Sequence, residues 1–183
     1  TFSHEPILGL TEYDPHGIAC APGRFRLPTR LHQEILQRQR EKQTEVLNFL
    51  ASGEVHCSMR VLSWLLRLEE RQVQATLSSM TAQKLLVAED LAPGTRIYGI
   101  SREGAAFISP TEAFRIFSYG KTSPLTLNHR LLCQLIRIQL TEFFHAEDWV
   151  AEKILLKERK FPNIPDGVFY IGDLTFAIEV ELT

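Results

Sequence analysis

The spacing of apolar residues changes once between Ser58 and Ile100, and that change most narrows what the chain can fold into. Val61, Leu62, Leu65 and Leu66 follow Ser58 at helical spacing, and Val73, Leu77 and Met80 recur every three or four residues behind Glu69-Glu70. Ser58 suits the cap of a helix over Met59 to Leu66, and the two glutamates suit the positive start of a second helix reaching about Lys84. Leu85-Leu86-Val87-Ala88 and Thr95 to Ile100 then read as strands around Asp90 to Gly94, with Pro93-Gly94 as the turn signal. Upstream, Leu31, Ile35 and Leu36, then Val46, Leu47 and Leu50, predict a helix from Thr29 to about Ala51. Arg38 to Lys42 is solvated or a break within it, and Ser52-Gly53 ends it. Residues 1–28, rich in Pro and Gly, read as an extended arm or a set of turns.

Helix, short helix, polar helix and hairpin are the order of a winged helix-turn-helix, and the resemblance covers about Lys42 to Ile108. It implies that helix 69–84 enters the major groove of double-stranded DNA. Arg71, Gln72 and Gln74 would face base edges, Ser78 and Ser79 would reach phosphates, and Arg96 on the wing would meet the backbone or minor groove. The bland alternative is a solvated helix face, and such a module also serves for dimerisation, so a homodimer is one expected assembly.

Charge is segregated behind a formal net of −2. Segment 43–109 is close to neutral and would bind phosphates weakly by itself. The stretch just before it is basic, so Arg38, Arg40 and Lys42 are expected to add phosphate contacts, while 141–183 is strongly acidic. Three widely spaced cysteines, Cys20, Cys57 and Cys133, with no C-x-x-C, suggest free thiols rather than a disulfide framework or a zinc site. No apolar run approaches the roughly 18 residues of a membrane span, so a cytoplasmic protein without a membrane partner is expected. The chain starts without methionine and stops within an apparent strand, which reads as a fragment.

Residues 110–125 read as a linker whose Phe114, Phe117 and Tyr119 are expected to pack on a neighbour. Thr126 to Phe144 is predicted as a long amphipathic helix and Glu147 to Lys157 as another. In the last strand, alternation assigns Leu174, Phe176, Ile178, Val180 and Leu182 to a core side, and Glu179 and Glu181 to the other. A two-residue loop at Gly172-Asp173 pairs Ile171 with Leu174 and so sets Asp166 opposite Glu179. Two opposed carboxylates need a neutralising partner, and hard oxygens favour Mg2+ or Mn2+. Glu152 on the preceding helix is positioned to join them. The alternative is an ordinary turn and a charged edge strand.

Glu152, Pro165-Asp166 and Glu179-Val180-Glu181 resemble the PD-(D/E)XK nuclease core, with Glu181 where that family carries lysine. The resemblance implies Asp166 and Glu179 as metal ligands, Glu181 beside the attacking water and Glu152 completing the shell, all four being candidate catalytic residues. Together with Asn128-His129-Arg130-Leu131, Trp149 and Pro165 to Phe169, the chain resembles the replication-relaxation family of bacterial plasmids and mobile elements. That likeness implies an α+β protein: an extended basic arm and helix over 1–40, a winged helix-turn-helix over 41–109, the linker, and a partial restriction-endonuclease-like α/β segment over 126–183. The implied function is that of a double-stranded DNA-binding accessory in mobilisation or replication, with a relaxase as possible partner. A metal-dependent endonuclease and a non-catalytic adaptor are the alternatives.

Overall fold

A computed structural model describes residues 29–108, 115–145, 147–158 and 163–181. The chain is mixed α and β, with six helices and two small antiparallel sheets among these residues. The expected arm 1–28, with Cys20, and Phe114 of the linker lie outside the described residues.

Helix α1 (Thr29–Ala51) runs without interruption through the charged stretch 38–42. Its last two turns supply Val46, Leu47, Phe49 and Leu50 to the core, while residues 30–41 stand exposed. Strand β1 (Cys57–Ser58) leads into α2 (Met59–Leu66), and the Ser58 side chain accepts the Val61 N–H at 3.3 Å as the sequence foretells. Arg67 closes α2 in the left-handed region at φ 51°, and its N–H takes up carbonyls of the last turn. Only Arg67 to Glu69 separate α2 from α3 (Glu70–Ala82).

Strands β2 (Leu86–Ala92) and β3 (Thr95–Ile100) form a hairpin, extended by β1 in the order β1-β3-β2. An irregularity between Asp90 and Ala92 carries β2 further toward Pro93-Gly94 than alternation indicates. Val61, Leu62, Val73, Leu77, Met80, Leu86 and Ile100 close one core between the helices and this sheet. A short helix α4 (Arg102–Ala105) follows, with the Ser101 hydroxyl accepting from the Gly104 N–H at 2.9 Å and donating to the Lys84 carbonyl.

Within the expected linker, Phe117 is buried with Ile97 and Leu127, and its N–H bonds the Ile100 carbonyl at 3.0 Å. Its ring lies so close over Gly99 that a side chain there would strike it. Tyr119 meets Phe117 edge to face but stays exposed. Helix α5 (Pro124–Phe144) begins with proline in its first turn, where no amide hydrogen is needed. It packs back on the first core through Ile138, Leu131 and Leu135.

The second sheet has the order β4-β5-β6, from β4 (Glu147–Ala151), β5 (Gly167–Ile171) and β6 (Leu174–Ile178). Two sequence expectations change here. Residues 147–151 are strand rather than the start of a helix, because they pair with β5; only Glu152–Glu158 form helix α6. The apolar side of β6 is largely uncovered, with Leu174 62% and Phe176 39% exposed, since among the described residues no layer packs over this edge strand. Phe176 instead stacks on Phe169, and Phe169 on Trp149. No described helix is long and apolar enough to cross a membrane.

Candidate functional site

Two regions hold the residues singled out from the sequence. On α3, the buried stripe Val73, Leu77 and Met80 turns Arg71, Gln72, Gln74, Ser78 and Ser79 outward, and all five are exposed. Gln74 donates to the Ser78 hydroxyl at 3.2 Å and Gln83 to Ser79 at 2.9 Å, so much of the face is held by bonds along the helix. Arg96 points from β3 to Asp90 on β2 and makes two parallel bonds to its carboxylate, each 2.6 Å. This fork lowers the Asp90 carboxyl below its ordinary range, chiefly through the hydrogen bond, and raises the Arg96 guanidinium. Arg38 and Arg40 are exposed on α1, and Lys42 is half-buried.

The second region lies where α5 meets the second sheet. His129 and Cys133 sit one turn apart on α5, which brings them to one face. Asp166, just before β5, puts Oδ1 2.7 Å from His129 Nε2, and Cys133 Sγ is 3.6 Å from the same nitrogen. An ionised carboxylate only accepts, so in this arrangement Nε2 carries the hydrogen. The second carboxylate oxygen accepts the Val180 N–H at 2.8 Å, while the Asp166 carbonyl accepts from the Glu152 N–H at 3.2 Å. One aspartate thus ties together α5, α6 and the chain beyond β6.

These side chains border a cavity of about 40 Å³, enough for a water or a single ion, also lined by His56, Arg130, Glu152 and Lys153. Also in its lining, Gln134 donates to Glu54 at 2.9 Å and to the His56 carbonyl at 2.6 Å, and Arg137 reaches the same Glu54 at 3.4 Å while lying over the Phe49 ring. Burial shifts several groups toward neutrality. The His56 imidazole is lowered to about 4, first by burial and then by the positive Arg130 and Lys153. The Cys133 thiol is pushed up to about 12 by burial and by Asp166 and Glu54, and burial lowers the Lys153 ammonium.

Of the four carboxylates read from the sequence, Asp166 and Glu152 border this cavity, whereas Glu179 and Glu181 are exposed and lie outside its lining. The Gly172-Asp173 loop does pair Ile171 with Leu174 and Gly167 with Ile178; the paired strands end there, and Asp166 takes the Val180 N–H rather than forming a ladder pair with Glu179. Among the described residues, the acid, histidine and cysteine atoms close enough to share an ion come from His129, Cys133 and Asp166, all within 4.8 Å of one another. In the sequence Cys133 reads only as a free thiol and His129 only as part of a family motif; their four-residue spacing on a helix is the signal that links them. Cys57 is the second free thiol among the described residues and is fully buried.

Neither a family model nor a curated protein nor a solved structure matches the chain.

Proposed function

We propose that this chain is a double-stranded DNA-binding accessory protein of a bacterial mobile element, with residues 41–109 acting as a winged helix-turn-helix. The observation that carries the reading is α3. It is anchored by Val73, Leu77 and Met80, follows α2 after a three-residue turn, and presents Arg71, Gln72, Gln74, Ser78 and Ser79 on its outer face. The β2–β3 hairpin supplies the wing, with Arg96 on it. The exposed Arg38 and Arg40 on α1 add charge that the module lacks, as phosphate contacts that position without reading sequence. The role in mobilisation or replication, and a relaxase as partner, rest on the resemblance to the replication-relaxation family.

A gel shift on duplex DNA across salt concentrations tests this reading. Binding should weaken steeply with salt, and the combined Arg71→Ala, Gln74→Ala and Arg96→Ala variant should lose tenfold or more in affinity. Full affinity in that variant would remove the winged-helix contact from consideration.

A second reading, a Mg2+-dependent nuclease built on Asp166, Glu179, Glu181 and Glu152, is favoured by the Gly167–Ile178 pair that closes the last hairpin, with Asp166 and Glu179 the next residue on each side. It requires cutting of plasmid DNA in Mg2+ or Mn2+ that disappears in Asp166→Ala.

A further inference from the structure

We propose that His129, Cys133 and Asp166 form a binding site for a zinc-class transition-metal dication, completed by a water in the adjoining cavity. This inference is independent of the DNA-binding reading and shares only Asp166 with the Mg2+ reading. It begins with helix geometry: positions 129 and 133 project from one face of α5, and the loop before β5 brings Asp166 against them.

The three ligand atoms, all within 4.8 Å of one another, lie within a small adjustment of tetrahedral coordination. Bonds of about 2.0–2.3 Å to nitrogen, oxygen and sulfur put neighbouring ligand atoms roughly 3.3–3.8 Å apart. Cys133 Sγ and His129 Nε2 already stand at 3.6 Å. Asp166 Oδ1 and His129 Nε2, now hydrogen-bonded at 2.7 Å, need to part by less than about 1 Å as the ion takes the place of the Nε2 hydrogen, the neutral ring then carrying its hydrogen on Nδ1. The other oxygen of Asp166 is fixed by the Val180 N–H, the outer contact that orients a ligating carboxylate.

The chemistry of the set selects the ion. A thiolate and an imidazole favour zinc, cobalt or copper over magnesium, which prefers oxygen ligands and keeps its waters. Binding releases the Cys133 proton to solvent, and with Cys133 as thiolate and Asp166 ionised the loaded site carries no net charge, so the nearby Arg130 and Lys153 face a neutral centre rather than a bare dication.

A second observation points to an occupant of the cavity. His56 is only 2% exposed, lines the same cavity, and neither of its ring nitrogens has a hydrogen-bond partner among the described residues. Buried polar groups left unpaired are costly. A metal-bound water, acting as the fourth ligand, would give this imidazole a partner while leaving three protein ligands, the pattern of sites with an exchangeable position.

The test is titration of the full chain with Co2+, followed by displacement with Zn2+. One equivalent should bind with thiolate-to-cobalt charge-transfer absorption, Zn2+ should abolish the band, and excess Mg2+ should leave it. Cys133→Ser should lose the band and weaken binding tenfold or more, Asp166→Asn should weaken it about tenfold, and Cys20→Ser should change neither. Circular dichroism checks that each variant is folded. X-ray absorption of the zinc-loaded unaltered chain should show one sulfur among nitrogen and oxygen ligands, whatever the variants do. Absence of stoichiometric binding, a band that survives Cys133→Ser, or a zinc shell without sulfur would each overturn the proposal.

Discussion

Asp166 Oδ1 lies 2.7 Å from His129 Nε2, a bond that joins α5 to the start of the last hairpin across 37 positions of sequence. Because α5 is packed on the first core through Ile138, this bond couples the second sheet to the helix-and-hairpin unit. His129→Ala leaves one oxygen of a mostly buried carboxylate without its partner, a loss on the order of 1–3 kcal/mol. Hydrogen exchange in β5 and β6 should quicken severalfold while that of α3 stays near its original rate. Unchanged protection of β5 would show that the bond does not hold the sheet in place.

Asp90 holds the Arg96 guanidinium in a two-bond fork on the exposed hairpin. If the wing contacts DNA as proposed, the carboxylate competes with phosphate for the same donors. Asp90→Asn should therefore raise affinity for duplex DNA severalfold at low salt, whereas Arg96→Ala should lower affinity and reduce the slope of log affinity against log salt by about one. Binding isotherms at four or five salt concentrations give both numbers.

The Glu54–Arg137 pair is largely withdrawn from water, each side chain being 15% exposed. Burial lowers the Arg137 pKa while Glu54 opposes that shift. Glu54→Ala removes the counter-charge and also a partner of Gln134, so a loss of about 3–5 kcal/mol is expected in urea unfolding. Arg137→Met added to Glu54→Ala should recover much of it, since no buried charge is then left alone.

His56 makes stability depend on pH. Its folded value of about 4 lies below the ordinary 6.5, so between these values the unfolded chain holds the extra proton. Stability contributed by the neutral ring is complete above pH 6.5 and declines as pH falls toward 4, by up to about 3 kcal/mol. Urea unfolding at pH 7 and pH 5 should show the decline, and His56→Leu should flatten it.

What could be read from the sequence were features set within a few residues of each other. The Ser58 cap, the Val73, Leu77 and Met80 stripe, the strands around Pro93-Gly94 and the register across Gly172-Asp173 all follow from spacing and turn chemistry. Residues 147–151 did not follow. Trp149 and Val150 suit either a helix or a strand, and it is β5, brought alongside by the fold, that decides for strand. Alternation identified the residues sharing one side of β6 but carried no information on what lies over them. Likewise, the meeting of His129 with Asp166 depends on how α5 docks, which no local pattern encodes.

Because α1 is one unbroken rod, its outer half works as a lever whose angle is fixed at the core by Val46 and Leu50. A helix turns about 100° and advances 1.5 Å per residue, so the azimuth of Arg38 and Arg40 is geared to the count of residues separating them from that anchor. One residue inserted after Thr44 would swing both guanidiniums about a quarter turn, and four would return them nearly to their bearing one turn further out. A slack tether would be indifferent to such changes; here the phase of the rod decides which way the charge faces.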